Sequence, residues 1–177
     1  NMGGAMVARL CELGWSVVVC DIDPLRQQQA LEAGAHLADT PDTAARALTT
    51  DGVLIVCVVD ASQSHQVLFG EHGAGPALQP GQVVMLCPTI SPQDTEALAS
   101  ALAERGVGCI DAPMSGGPAR ARDGSMSLMV AAPTALLARH ATLLDALSSK
   151  VFRLGERVGD GARTKLVNNL LAGINLV

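Results

Sequence analysis

The chain has 177 residues, 49% hydrophobic and 16% charged, with a formal net charge of −5. That length fits one domain with a short added segment, and the composition supplies a core, which excludes a disordered chain. The acidic balance argues against nucleic acid or an anionic membrane surface as partner, and no apolar run approaches the roughly 18–20 residues of a membrane span.

In chain order, Met2–Leu13 reads as a helix that opens directly behind Asn1, with Gly3 in its first turn. A β-branched run, Ser16–Asp21, follows as a strand ending on an acid. Asp21 stands 21 − 3 = 18 residues after Gly3. An acid about 20 residues after a glycine turn holds the ribose hydroxyls of NAD, and its charge repels a 2′-phosphate. Asp21-Ile22-Asp23-Pro24 also reads as an ordinary turn, in which Asp23 is the better helix cap. No arginine follows Asp21 immediately, which favours NAD over NADP, while Arg26 keeps the choice open.

Helices are then expected at Pro24–Ala33 and Pro41–Leu48, a strand at Gly52–Val59, and a helix at Ser62–Leu68. The strand Gln82–Leu86, the helix Pro92–Glu104 and the strand Val107–Asp111 come next. Beyond them lie a strand at Ser125–Ala131, a helix at Pro133–Leu147 and a strand at Val151–Leu154. Several strands are apolar throughout, as strands buried on both faces are. Pro24, Pro41, Pro92 and Pro133 each fall at a first helical turn. The alternation predicts an α/β, doubly wound, Rossmann-like parallel sheet with right-handed crossovers.

Both ends read as cut. A doubly wound domain places a central strand and a glycine-rich turn before its first helix, so the first strand is expected to be absent. A hinge from Gly155 to Gly161 precedes a last helix, RTKLVNNLLAGINLV, with Leu166, Leu170 and Ile174 at i, i+4 and i+8. Residues 1–157 are therefore expected to be a dinucleotide-binding domain and 158–177 the start of an interdomain helix. That helix leads toward an all-α domain outside this chain.

The five cysteines are widely spaced and form no C-x-x-C, pointing to a reduced, cytoplasmic setting. The four histidines lack ligand spacing, so no metal site is expected. Two segments bear chemistry. Ser115-Gly116-Gly117 lies between a strand and a helix-like stretch, where small residues and exposed N–H groups suit a carboxylate or a plain tight turn. Lys165, Asn168 and Asn169 share one helix face and can hold an oxygen and exchange its proton.

Six segments in register resemble the β-hydroxyacid dehydrogenases along nearly the whole chain: NMGGAM, VVVCDIDP, VCVVDASQSHQVLFG, PTISP, DAPMSGGPARARDGSMSLMV and GARTKLVNN. The resemblance implies that Asn1, Met2, Gly3, Asp21, Ile22, Val58, Val59, Asp60 and Thr89 line the cofactor. It implies that Ser115, Gly116 and Gly117 take the substrate carboxylate, with Lys165 as general acid/base and Asn169 orienting the substrate. Met114 and Pro88 depart from the family pattern. The implied substrate is a small β-hydroxy acid of the 3-hydroxyisobutyrate or tartronate semialdehyde/glycerate type. L-threonate-type sugar-acid oxidation is the alternative, and a homo-oligomer formed through the absent domain is the implied assembly. A non-catalytic dinucleotide-binding module is the reading from another class; Lys165 with Asn169 at the right spacing speaks against it.

Overall fold

A computed structural model describes residues 1–175, so the expected passage of the last helix through Leu176 and Val177 lies outside the described residues. The elements run α1 (Met2–Glu12), β1 (Val18–Val19), α2 (Pro24–Glu32), β2 (His36–Leu37), α3 (Pro41–Arg46), β3 (Val53–Val56) and α4 (Ala61–Phe69). They continue with β4 (Val83–Leu86), α5 (Pro92–Ala103), β5 (Gly108–Asp111), β6 (Met114–Ser115), α6 (Gly117–Asp123) and β7 (Met126–Ala131). The last four are α7 (Thr134–Arg139), α8 (Ala141–Leu147), β8 (Ser148–Gly155) and α9 (Asp160–Ile174).

Local chemistry starts α2, α3 and α5 at Pro24, Pro41 and Pro92 as expected, whereas Pro133 stands at the cap position before α7 and α4 begins at Ala61, behind Asp60, rather than at Ser62. Asp23 Oδ1 accepts from Leu25 N–H at 2.9 Å, Asp60 Oδ1 from Gln63 N–H at 2.8 Å and Ser91 Oγ from Asp94 N–H at 3.1 Å. Each bond satisfies a donor that the helix itself leaves free. The expected helix over 133–147 is instead two helices, broken at His140 (φ −107°, ψ 19°). The break lets α7 bury Leu137 and α8 bury Leu143, Leu144 and Leu147, so packing overrides one continuous period.

β3, β4 and β5 pair in parallel. Side chains alternate across this sheet, and both faces are covered. Val83, Met85, Cys87 and Ile110 join Met6, Leu10 and Leu144 in one cluster; Val84, Leu86 and Cys109 join Leu68, Leu98 and Leu102 in the other. A strand flanked by two cores has no polar side, which is why its sequence does not alternate.

The sheet is mixed rather than wholly parallel. β7 runs antiparallel to β5 and β6, with Asp111 opposite Ala131 and Ser115 opposite Ser127, and β8 pairs with β7 in parallel. The turn and α6, residues 116–125, form too short a link for a parallel crossover, whereas α7 and α8 supply one between β7 and β8. β1 and β2, a parallel pair, form a separate two-stranded sheet. Among the described residues no helix is long and apolar enough to cross a membrane.

Leu128, fully buried on β7, is expected to lose about 2–5 kcal/mol of stability on change to Ala. Leu170→Ala, on the outer face of α9, should fall within about 0.5 kcal/mol of the parent. Chemical denaturation of both variants checks the contrast.

Candidate active site

Val56 pairs with Leu86 and Leu86 with Asp111, so three parallel strands end on one level. The chain leaves those ends into Val58–Asp60, Thr89 and Ala112–Gly117. The crevice outside the carboxyl ends of parallel strands is where open α/β sheets bind ligands.

At one side of this crevice stands the N-terminus of α1. Asn1 is its N-cap but makes no side-chain capping bond; its Oδ1 instead accepts from Arg26 Nη2 at 2.7 Å. The first turn of α1 therefore has no side-chain cap, and the Gly3 N–H faces the Cys57 thiol. Met2 packs against the core, and a Cβ on Gly3 would sit 3.5 Å from Cys57 Sγ at the end of β3. Asp21 lies beyond β1, where its Oδ1 accepts from Asp23 N–H at 2.9 Å, and Ile22 beside it is 99% exposed. Arg26 also donates to Gln29 Oε1 at 2.9 Å and lies 3.9 Å from Asp23, so its guanidinium is already engaged. Val58 packs on the second core cluster, while Val59 is exposed and donates its N–H to Gln63 Oε1 at 3.0 Å. Asp60 is the cap of α4, and Thr89 is exposed just past β4. An α1 terminus without a side-chain cap, an acid just after β1 and the exposed apolar Ile22 and Val59 are groups of the kinds a dinucleotide meets: a helix N-terminus for phosphate, an acid for ribose and apolar surface for a ring.

Ser115 ends β6, half-buried, and Gly116 (φ 133°) and Gly117 (φ 74°) turn the chain into α6. A Cβ on Gly116 would lie 3.0 Å from Arg120 Cδ and 3.3 Å from Met126 Cα, so glycine is required there by conformation and by space.

Lys165 is buried on α9, 9% exposed, on the same face as Gly161 and Ala162. It has no ion-pair partner among the described residues, and burial pulls its amine below the ordinary lysine range. Asn168 is half-buried one turn on, and Asn169 is exposed. The apolar residues of α9 point the other way: Leu166, Leu170 and Ile174 are 42%, 64% and 61% exposed.

Asp111 is the residue that sequence reasoning did not single out. It is 1% exposed at the end of β5, and its Oδ2 accepts from Gly159 N–H at 2.8 Å and Ala162 N–H at 3.0 Å. Burial pushes its carboxyl up, while the N–H groups of Ala162, Gly159 and Gly161 pull it partly back. The available signal was a helix start, Gly159-Asp160-Gly161, with glycine at the cap position, whose free N–H groups needed an acceptor from elsewhere. Among the described residues no cluster of metal-ligating side chains occurs.

Residues 1–155 match the family described as the NAD binding domain of 6-phosphogluconate dehydrogenase. The chain is 38% identical over 175 residues to an L-threonate dehydrogenase of Cupriavidus necator, covering 99% of this chain and 58% of that protein. It is 32% identical over 175 residues to a 3-hydroxyisobutyrate dehydrogenase of Pseudomonas aeruginosa, covering 98% and 57%. A solved 3-hydroxyisobutyrate dehydrogenase of Salmonella typhimurium superposes with a TM-score of 0.90 at 33% identity, over 98% of this chain and 60% of that one. The chain thus spans about three fifths of the length of the relatives it matches.

Because the folded amine of Lys165 titrates below the unfolded one, the unfolded chain binds more protons between the two values, and stability rises with pH there. Below that window the buried ammonium is a full penalty. Lys165→Met should therefore melt at or above the parent Tm at pH 7, with the gap closing toward about pH 10. Thermal melts at both pH values check this; a variant equally destabilised at both would contradict it.

Proposed function

The chain belongs to the family of NAD-binding domains found in 6-phosphogluconate dehydrogenase and the β-hydroxyacid dehydrogenases, and on that premise we propose that it carries the reactive half of an NAD-dependent β-hydroxyacid dehydrogenase. The observation that carries this reading is Lys165, a buried lysine with no ion-pair partner among the described residues and an amine pulled below the ordinary lysine range.

In this reading Ser115 Oγ and the N–H groups of Gly116 and Gly117 bind the substrate carboxylate. The neutral amine of Lys165 takes the proton of the β-hydroxyl as the alcohol becomes a carbonyl, and returns it in the reverse direction. A lowered lysine pKa keeps the amine available for that step. Asn169 orients the substrate and Lys165. Asp21 holds the adenosine ribose hydroxyls and selects NAD over NADP, with Arg26 occupied by Asn1 and Gln29. NAD, when bound, supplies the hydride acceptor at its nicotinamide. The exposed apolar face of α9 is the surface an all-α second domain would cover.

The substrate proposed is a four-carbon sugar acid of the L-threonate type rather than the 3-hydroxyisobutyrate or tartronate semialdehyde type expected first. L-threonate dehydrogenases of several bacteria are 34–38% identical, against 32% for the 3-hydroxyisobutyrate dehydrogenase and 31% for a 2-hydroxy-3-oxopropionate reductase of Escherichia coli.

Initial rates of the full-length gene product, with NAD and NADP, against L-threonate, D-threonate, 3-hydroxyisobutyrate and glycerate test the proposal. Turnover of L-threonate with NAD is expected, and Lys165→Ala should lower kcat about 10²–10⁴-fold with NAD binding retained. Asp21→Ser should narrow the preference for NAD over NADP. Full activity of Lys165→Ala would remove the mechanism.

A further inference from the structure

We propose that Asp111 is a positioning residue for Lys165: its buried carboxylate, latched to the first turn of α9, sets the depth at which that lysine is held. The catalytic consequence rests on the reading of Lys165 given above; the positioning itself does not.

α9 begins without a capping side chain of its own. Gly159 occupies the cap position, and the Asp160 carboxylate is paired with Arg163. The donors Gly159 N–H and Ala162 N–H are taken by Asp111 Oδ2, from a different element 48 and 51 residues earlier in the chain. Gly161 lets this happen. A Cβ there would stand 2.6 Å from the Met129 carbonyl oxygen and 2.9 Å from Asp111 Oδ1 and Cγ, so only a hydrogen allows the turn to seat between β5 and β7.

Gly161, Ala162 and Lys165 occupy one buried face, with Lys165 one turn beyond the residues that touch the latch. Ala162 and the neighbouring Val158 also pack inward, but the polar contacts at this end other than the latch, Arg157 and Arg163 with Glu96, lie at the surface, where ion pairs contribute about 0–1 kcal/mol. The negative charge of Asp111 is met by the N–H groups and the positive end of the α9 dipole rather than by an ammonium. Asp111 thus acts on Lys165 through the position of the helix.

The chain carries two lysines, Lys150 and Lys165, of which Lys150 is exposed. Competitive acetylation of the full-length protein across pH, read by peptide mass spectrometry, gives the titration of Lys165 with Lys150 as internal reference. In the parent, Lys165 should titrate below Lys150. In Asp111→Asn, which turns an amide toward Gly161 N–H, and in Gly161→Ala, which lifts the turn, the Lys165 curve should move toward Lys150 by about one pH unit. kcat should fall about tenfold or more, its pH profile should shift alkaline, and KM for NAD should hold. Glu96→Gln, which releases only the surface pairs with Arg163 on α9 and Arg157 just before it, should leave the curve in place.

An unmoved Lys165 curve in folded Asp111→Asn and Gly161→Ala would overturn the proposal, even if activity fell. Should neither variant fold, amide exchange in the parent decides. First-turn N–H groups of a helix ordinarily exchange fast, so strong protection of Gly159 and Ala162 supports the latch and fast exchange overturns it. Absence of turnover in the parent, or full activity of Lys165→Ala, would overturn the functional reading, whereas the acetylation curves would still decide the positioning.

Discussion

A single buried carboxylate joins the end of the central parallel strands to the start of the last helix. Asp111 ends the central run of parallel strands and receives the N–H groups of Gly159 and Ala162 at the start of α9. A carboxylate so enclosed loses its water, and its raised pKa records that loss. The loss is offset by donors that would otherwise be unsatisfied, because the first N–H groups of a helix have no partner within it. Two deficits cancel at one point, and α9 is thereby seated against β5 and β7.

That seating goes with a definite orientation of the helix. α9 turns Gly161, Ala162 and Lys165 inward and leaves Leu166, Leu170 and Ile174 in water. The inward face seats Gly161 and Ala162 against β5 and β7, and the outward apolar residues form the face assigned above to a second domain.

The remainder of the fold brings loops to one edge. Two apolar clusters clamp β3, β4 and β5 from both faces, so the carboxyl ends of these strands form a rigid rim. The loops at Val58–Asp60 and Thr89 and the glycine turn after Ser115 start from that rim. β7 reverses direction because the turn and α6 are too short for a crossover, and this carries Met129 to the place where Gly161 must pass.

Much of this was legible in the sequence, because the signals are local. Unbroken apolar runs at Val53–Val56 and Val83–Leu86 mark strands buried on both sides, and Pro24, Pro41 and Pro92 mark helix starts, since each depends on a few neighbouring residues. The place of Asp21 just past a strand and of Lys165 and Asn169 one turn apart on the last helix was legible for the same reason. The split at His140, the reversal of β7 and the short pairs β1–β2 and β6–β7 were not, since they depend on which surfaces meet. Asp111 shows the limit most plainly. In one dimension it is an acid at the end of a strand, and the donors it serves lie about fifty residues away. The sequence by itself determined the order of elements and the kinds of side chain at the strand ends, because propensity and period act over a turn or two. Only the tertiary structure decided which face of α9 is buried and how deep Lys165 lies, because those depend on packing and hydrogen bonds between segments far apart in the chain.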